Sequence, residues 1–97
     1  MKYRWEAGAL DDLEEATAFY FREDPALEFR FSACIDKAIE QVKRHPRSWP
    51  KVADEVRRYI VNIFPYSLLY SIEQDHILIV AVAHHSREPN YWKDRTE

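Results

Sequence analysis

Glycine is almost absent from this sequence, with one residue, Gly8, in 97. Glycine-rich loops that cradle phosphate, and hairpins built on glycine turns, are therefore poor explanations of what the chain does. Cysteine is equally scarce. A lone Cys34 excludes an internal disulfide framework and fits a reducing compartment. Its neighbours Phe31, Ala33 and Ile35 mark it as a buried, inert thiol rather than a nucleophile. There is no signal-peptide pattern and no apolar run long enough to span a bilayer, so a cytoplasmic protein without a membrane partner is expected. Positive charge is not in excess. The formal net charge is −3 and the sequence pI is about 5.8, which argues against a protein whose main task is coating nucleic acid. No G-x-S-x-G occurs, so acyl transfer has no support. His84 and His85 are adjacent and would point to opposite faces of a strand, while His45, His76 and Cys34 lie elsewhere. No metal site and no cofactor are expected.

What is present is apolar and aromatic material, 46% and 14% of the chain, enough for one small core. A single domain over residues 1–97 is the expectation. Charge is uneven: residues 10–28 hold seven acids (Asp11, Asp12, Glu14, Glu15, Glu23, Asp24, Glu28) and one base, Arg22. From Val56 onward, five bases balance five acids, which leaves room for a local basic surface.

Residues 1–6 alternate, with Tyr3 and Trp5 on one side, and predict a strand. From Ala9 the spacing turns helical through Leu10, Leu13, Ala16 or Thr17, and Tyr20, with acids placed to complement the dipole of the first turns. Asp24-Pro25 then reads as a cap and first residue of a second helix. Its stripe runs Leu27, Phe31, Cys34, Ala38, Val42, widened by Ile35 and Ile39, with Glu40 and Arg44 paired on the far side. Pro46 stops it. Residues 45–55 read as a loop. Three strands follow over 56–64, 66–73 and 76–85, with links so short that neighbours must be antiparallel. The last is apolar on both faces and is expected to be central. The sum is an α+β fold, β-α-α-β-β-β, with a helix hairpin on one face of a twisted, mainly antiparallel sheet.

Two groups could carry chemistry. Arg57 and Arg58 open a strand and point to opposite faces, either as a solvated edge that discourages aggregation or with one arginine on the open face of the sheet. In AHHSREPNYW (83–92), Arg87 could hold an anion while Tyr91 and Trp92 stack on bases. A tyrosine could also move a proton if nearby cations lowered its pKa. The plainer alternative has Tyr91 and Trp92 capping the core while Arg87 pairs with a loop carboxylate such as Glu88.

The order of elements, with V-R-R-x-x-V-x-x-F-P-Y (56–66) and H-x-x-R-x-P-x-Y-W (84–92), resembles the RelE/ParE family of bacterial type II toxins over nearly the whole chain. The resemblance implies a toxin masked by a cognate antitoxin in a hetero-oligomer. It allows two targets. RelE-like members cleave mRNA on the ribosome without a metal, using basic residues and often a C-terminal tyrosine. ParE-like members poison DNA gyrase and need no nuclease centre. On RelE-like positions, Arg58, Arg87 and Tyr91 match as a catalytic set, with His85 as an alternative base. Ile60 and Ser67 stand where two further cations are common. Metal-free phosphate cleavage depends on such cations, and losing one costs about 2.7–4 kcal/mol of transition-state stabilisation. The acidic pI also suits ribosomal RNA poorly. Both features favour the gyrase-directed branch over the nuclease, with a non-toxic binding module as a third reading. Arg57, His84, His85, Arg87 and Trp92 are the expected contacts to target or antitoxin.

Overall fold

A computed structural model describes residues 1–96. Strand β1 (Lys2–Trp5) leads into helices α1 (Ala7–Glu23) and α2 (Pro25–Arg44). Strands β2 (Lys51–Ala53), β3 (Val56–Ile60), β4 (Tyr66–Ile72) and β5 (His76–His84) follow, and the chain closes with a 3-10 turn, Lys93–Arg95. The strands form one sheet in the order β1-β5-β4-β3-β2, parallel only between β1 and β5. The α+β class and the helix hairpin match the sequence reading, with β4 at the centre and β5 beside it.

Glu6 starts α1: its carboxylate accepts the N–H groups of Gly8 at 2.7 Å and Ala9 at 3.3 Å, two donors that the helix itself cannot satisfy. The helix therefore begins earlier than the acids that were expected to serve its first turn. Leu10 is 42% exposed, and the buried position on that face is Ala9. One residue joins the helices. Asp24, extended at φ −169°, closes α1 through its N–H to Tyr20 and caps α2 by accepting from Ala26 N at 2.9 Å. Helix α2 buries Phe31, Ile35, Ala38, Ile39 and Val42 against the sheet, while Cys34 is only half-buried. Glu40 pairs with Lys43 at 3.3 Å instead of Arg44. The aromatic heart of this layer is Tyr20, Phe31, Phe64 and Tyr66, whose rings meet mostly edge to face at 5.0–6.2 Å.

Two departures from the expected strands have local causes. The 45–55 loop contains β2, bridged to β3 through a turn with Asp54 at φ 49°. Strand β3 stops at Ile60 because the chain folds sharply before Pro65, with Ile63 at φ 73° and Phe64 turned into the core.

The irregularity that matters most lies in β5. Leu69 pairs with Ala81 and Tyr70 with Ile79, so Val80 is an extra residue. Such a bulge shifts the alternation of side chains by one. Val80 and Ala81 both join a second small cluster on the face away from the helices, and Val82 returns to the helix side. His84 thereby lands on the helix side and His85 on the other. The second cluster is Val56, Leu69, Val80, Ala81 and Trp92. Trp92, 5% exposed, plugs the sheet face that the helices leave open. Among the described residues, no helix is long and apolar enough to cross a membrane.

Candidate functional site

Strand β1 reaches along β5 only as far as Ile79, where Glu6 N–H meets Ile79 O at 2.9 Å. Beyond it the edge of β5 would present unpaired backbone groups, which are costly when buried. Two charged side chains serve them. Val82 N–H donates to Asp12 Oδ2 at 3.1 Å, and Val80 O accepts from Arg95 Nη1 at 3.1 Å. Arg95 also grips Asp12 with both terminal nitrogens, at 2.8 and 3.3 Å. Tyr91 adds a third donor to Asp12 Oδ2, its hydroxyl at 2.9 Å. The side chains of Asp12 and Arg95 are 7% and 16% exposed, so the pair is largely withdrawn from water. Burial would lower the Arg95 pKa, yet the hydrogen bond and charge of Asp12 outweigh it and hold the guanidinium firmly protonated.

Gly8 belongs to this arrangement. A Cβ there would collide with Arg95, lying 2.6 Å from its Cζ. The one glycine of the chain is thus a helix residue that lets a guanidinium pass close to the backbone. Gly8→Ala ordinarily favours a helix by about 1 kcal/mol. Here thermal unfolding is expected to show a net loss, because Arg95 must leave Asp12. An increase in Tm would show that Arg95 moves aside freely.

The rim lies at the end of β5. Arg87 has its guanidinium carbon 4.0 Å above the centre of the Tyr91 ring, and Arg95 approaches the same ring at 4.9 Å. His84 rests edge-on against Tyr66 at 5.0 Å, and its Nδ1 accepts from Ser86 N–H at 3.0 Å. His85 Nε2 lies 3.1 Å from Ser67 Oγ on the opposite face. A shallow pocket of about 210 Å³ there gathers Arg58, Ser67, His85, Arg87 and Tyr91. A larger hollow of about 380 Å³ lies on the helix side between α1 and β5, and Arg87 and His84 line both.

The structure therefore brings together Arg58, His85 and Arg87, with His84 at the margin. Arg57 is elsewhere: its Nη1 donates to Trp49 O at 2.7 Å and Arg47 O at 3.2 Å, holding the loop before β2. Trp92 is core and offers a partner little surface. Arg87 pairs with an aromatic ring and not with Glu88, since no Arg87–Glu88 ion pair occurs among the described residues. The condition for proton transfer by Tyr91, a pKa lowered by nearby cations, is not met. Burial, then the charge and hydrogen bond of Asp12, push it far above the ordinary phenol value, and the opposing pull of Arg95 and Arg87 is smaller. Asp12 and Arg95 are contributors that the sequence does not single out, and Ser67, noted there only for the cation it lacks, contacts His85. Asp12 sits in a run of acids with no local signature, and its partners are 70 to 83 residues away.

A family model described as the ParE toxin of type II toxin–antitoxin system, parDE, matches residues 3–89. A presumptive toxin of Sinorhizobium fredii, Y4kP, is 32% identical over 85 residues, covering 86% of this chain and 88% of that protein. A solved chain of a chromosomal ParDE system from P. aeruginosa shares the fold. Its TM-score is 0.69 over 87% of this chain and 95% of that one, at 21% identity.

Proposed function

The chain belongs to the ParE toxin family of type II toxin–antitoxin systems, and from that premise we propose that it arrests growth by binding DNA gyrase, with no RNA cleavage. A cognate antitoxin masks it by covering the same rim. The observation that supports this most is the state of Tyr91. A proton-transfer residue needs a pKa near working pH and a free hydroxyl. Tyr91 has its hydroxyl committed to Asp12 and its pKa driven upward. Ile60 and Ser67 at the positions of two common cations point the same way. What remains is a surface suited to contact: Arg58 and Arg87 make no ion pair among the described residues and stand exposed beside His85.

A second reading keeps one observation in its favour. Arg58, Ser67, His85 and Arg87 do share a pocket, and histidine titrates near neutrality. A ribosome-dependent nuclease would use His85 as base and the two arginines on phosphate.

Pulse-labelling after induction of the toxin alone separates these. Thymidine incorporation is expected to fall first, with methionine incorporation intact. Early loss of methionine incorporation would favour the nuclease. No change with abundant folded protein would mark a module that only binds its partner.

A further inference from the structure

Arg87 is exposed, and among the described residues its side chain makes no hydrogen bond or ion pair. Its guanidinium carbon stands 4.0 Å from the centre of the Tyr91 ring. The ring face therefore biases where the guanidinium sits. The ring in turn is fixed from two sides. Trp92, next in sequence, anchors the backbone in the second cluster, and the Tyr91 hydroxyl donates to Asp12 at 2.9 Å. Asp12 is itself held by Val82 N–H and by Arg95, both tied to the bulge of β5. Asn90, at φ 65°, turns the chain so that Tyr91 can reach back to α1.

We propose that Asp12 is a positioning residue for Arg87, acting through the tethered ring of Tyr91. This rests on the reading of Arg87 as a target contact. It assigns Tyr91 a role distinct from proton transfer: the ring is a platform, and its hydroxyl is the bolt that keeps the platform in place. A long arginine side chain loses much rotamer freedom when bound, and holding it beforehand reduces that loss. The face of an aromatic ring attracts a cation without engaging its N–H groups, so the guanidinium donors stay available to a partner. An ion pair with a carboxylate would hold Arg87 as well, but it would occupy those donors. The arrangement also explains why a helix 75 residues away in sequence bears on the rim.

The test reads Arg87 directly. Its δ-methylene and Nε–Hε resonances, assigned by their disappearance in Arg87→Ala, are expected upfield in the wild type from the Tyr91 ring current. Tyr91→Leu should abolish the displacement. Tyr91→Phe keeps the ring but lacks the bolt, and Asp12→Asn leaves Tyr91 untouched, yet both should reduce it. Growth inhibition should fall in the same order. Tyr91→Phe removes one oxygen and leaves Trp92 seated, so it serves even if Asp12→Asn fails to fold. Arg87 resonances unchanged in folded Tyr91→Phe would overturn the proposal, as would full toxicity in Tyr91→Leu when Arg87→Ala is inactive. Full toxicity of Arg87→Ala would instead sink the target-contact reading and leave the spectroscopic result standing.

Discussion

Asp12→Ala is expected to destabilise the protein by about 3 kcal/mol or more, the range for removing one partner of a buried ion pair. For a domain of this size that lowers Tm by roughly 12 °C or more. The substitution strands three donors at once: Val82 N–H, the Tyr91 hydroxyl and the Arg95 guanidinium. Total stability of small domains is about 5–15 kcal/mol, so a large share disappears. The control is the double change Asp12→Leu with Arg95→Met. Removing both members takes away the unpaired buried charge, but Val82 N–H, the Tyr91 hydroxyl and Val80 O still lack partners, so only the part of the loss due to the stranded guanidinium should be recovered. Thermal unfolding followed by circular dichroism gives both values. A loss under about 1 kcal/mol for Asp12→Ala would place the pair among exposed ion pairs and remove it as the closure of the β5 edge.

Arg87→Ala should do the reverse. The side chain is exposed and its contact with Tyr91 is an open cation–ring stack, worth about 0.5–1 kcal/mol at such sites. Stability should therefore change by no more than that. Binding should suffer far more. A central arginine in an interface typically costs at least about 2 kcal/mol on truncation, roughly 30-fold in affinity. Growth inhibition on induction is expected to be lost while the melting curve stays near wild type. Arg57→Ala is the useful contrast. It releases Trp49 O and Arg47 O on the loop before β2, so its effect should appear in the melting curve. Full toxicity of folded Arg87→Ala would mean that the rim is not the contact surface.

The helix hairpin is legible in the sequence because Asp24-Pro25 is a local signal and the Phe31-to-Val42 stripe repeats at helical spacing. The antiparallel ladder of β3, β4 and β5 is legible because the links between them are too short for anything else. The bulge at Val80 is not. A run such as ILIVAVA is apolar on every residue, so nothing in it marks where alternation slips. That slip decides which face receives each histidine. The buried Asp12–Arg95 pair is also hidden, since an acid among six others in a solvated-looking segment gives no hint of a partner near the C-terminus. The rim itself is half legible. Arg58, His85 and Arg87 converge on one pocket, while for Tyr91 and Trp92 the plainer alternative, a cap on the core, fits their packing in the second cluster. Gly8 is the one clue that could have exposed the pair: a helix with a lone glycine near its start invites the question of what approaches there.

Binding of gyrase by the rim without cleavage of RNA, as proposed, can be tested directly. Purified toxin would be titrated in parallel into a gyrase supercoiling reaction and a reaction of ribosomes translating a defined mRNA. Supercoiling is expected to be inhibited by the wild type and restored by Arg87→Ala, and the mRNA to stay intact throughout. Cleavage of the ribosome-bound mRNA with supercoiling unaffected would contradict the proposal and move the chemistry to His85.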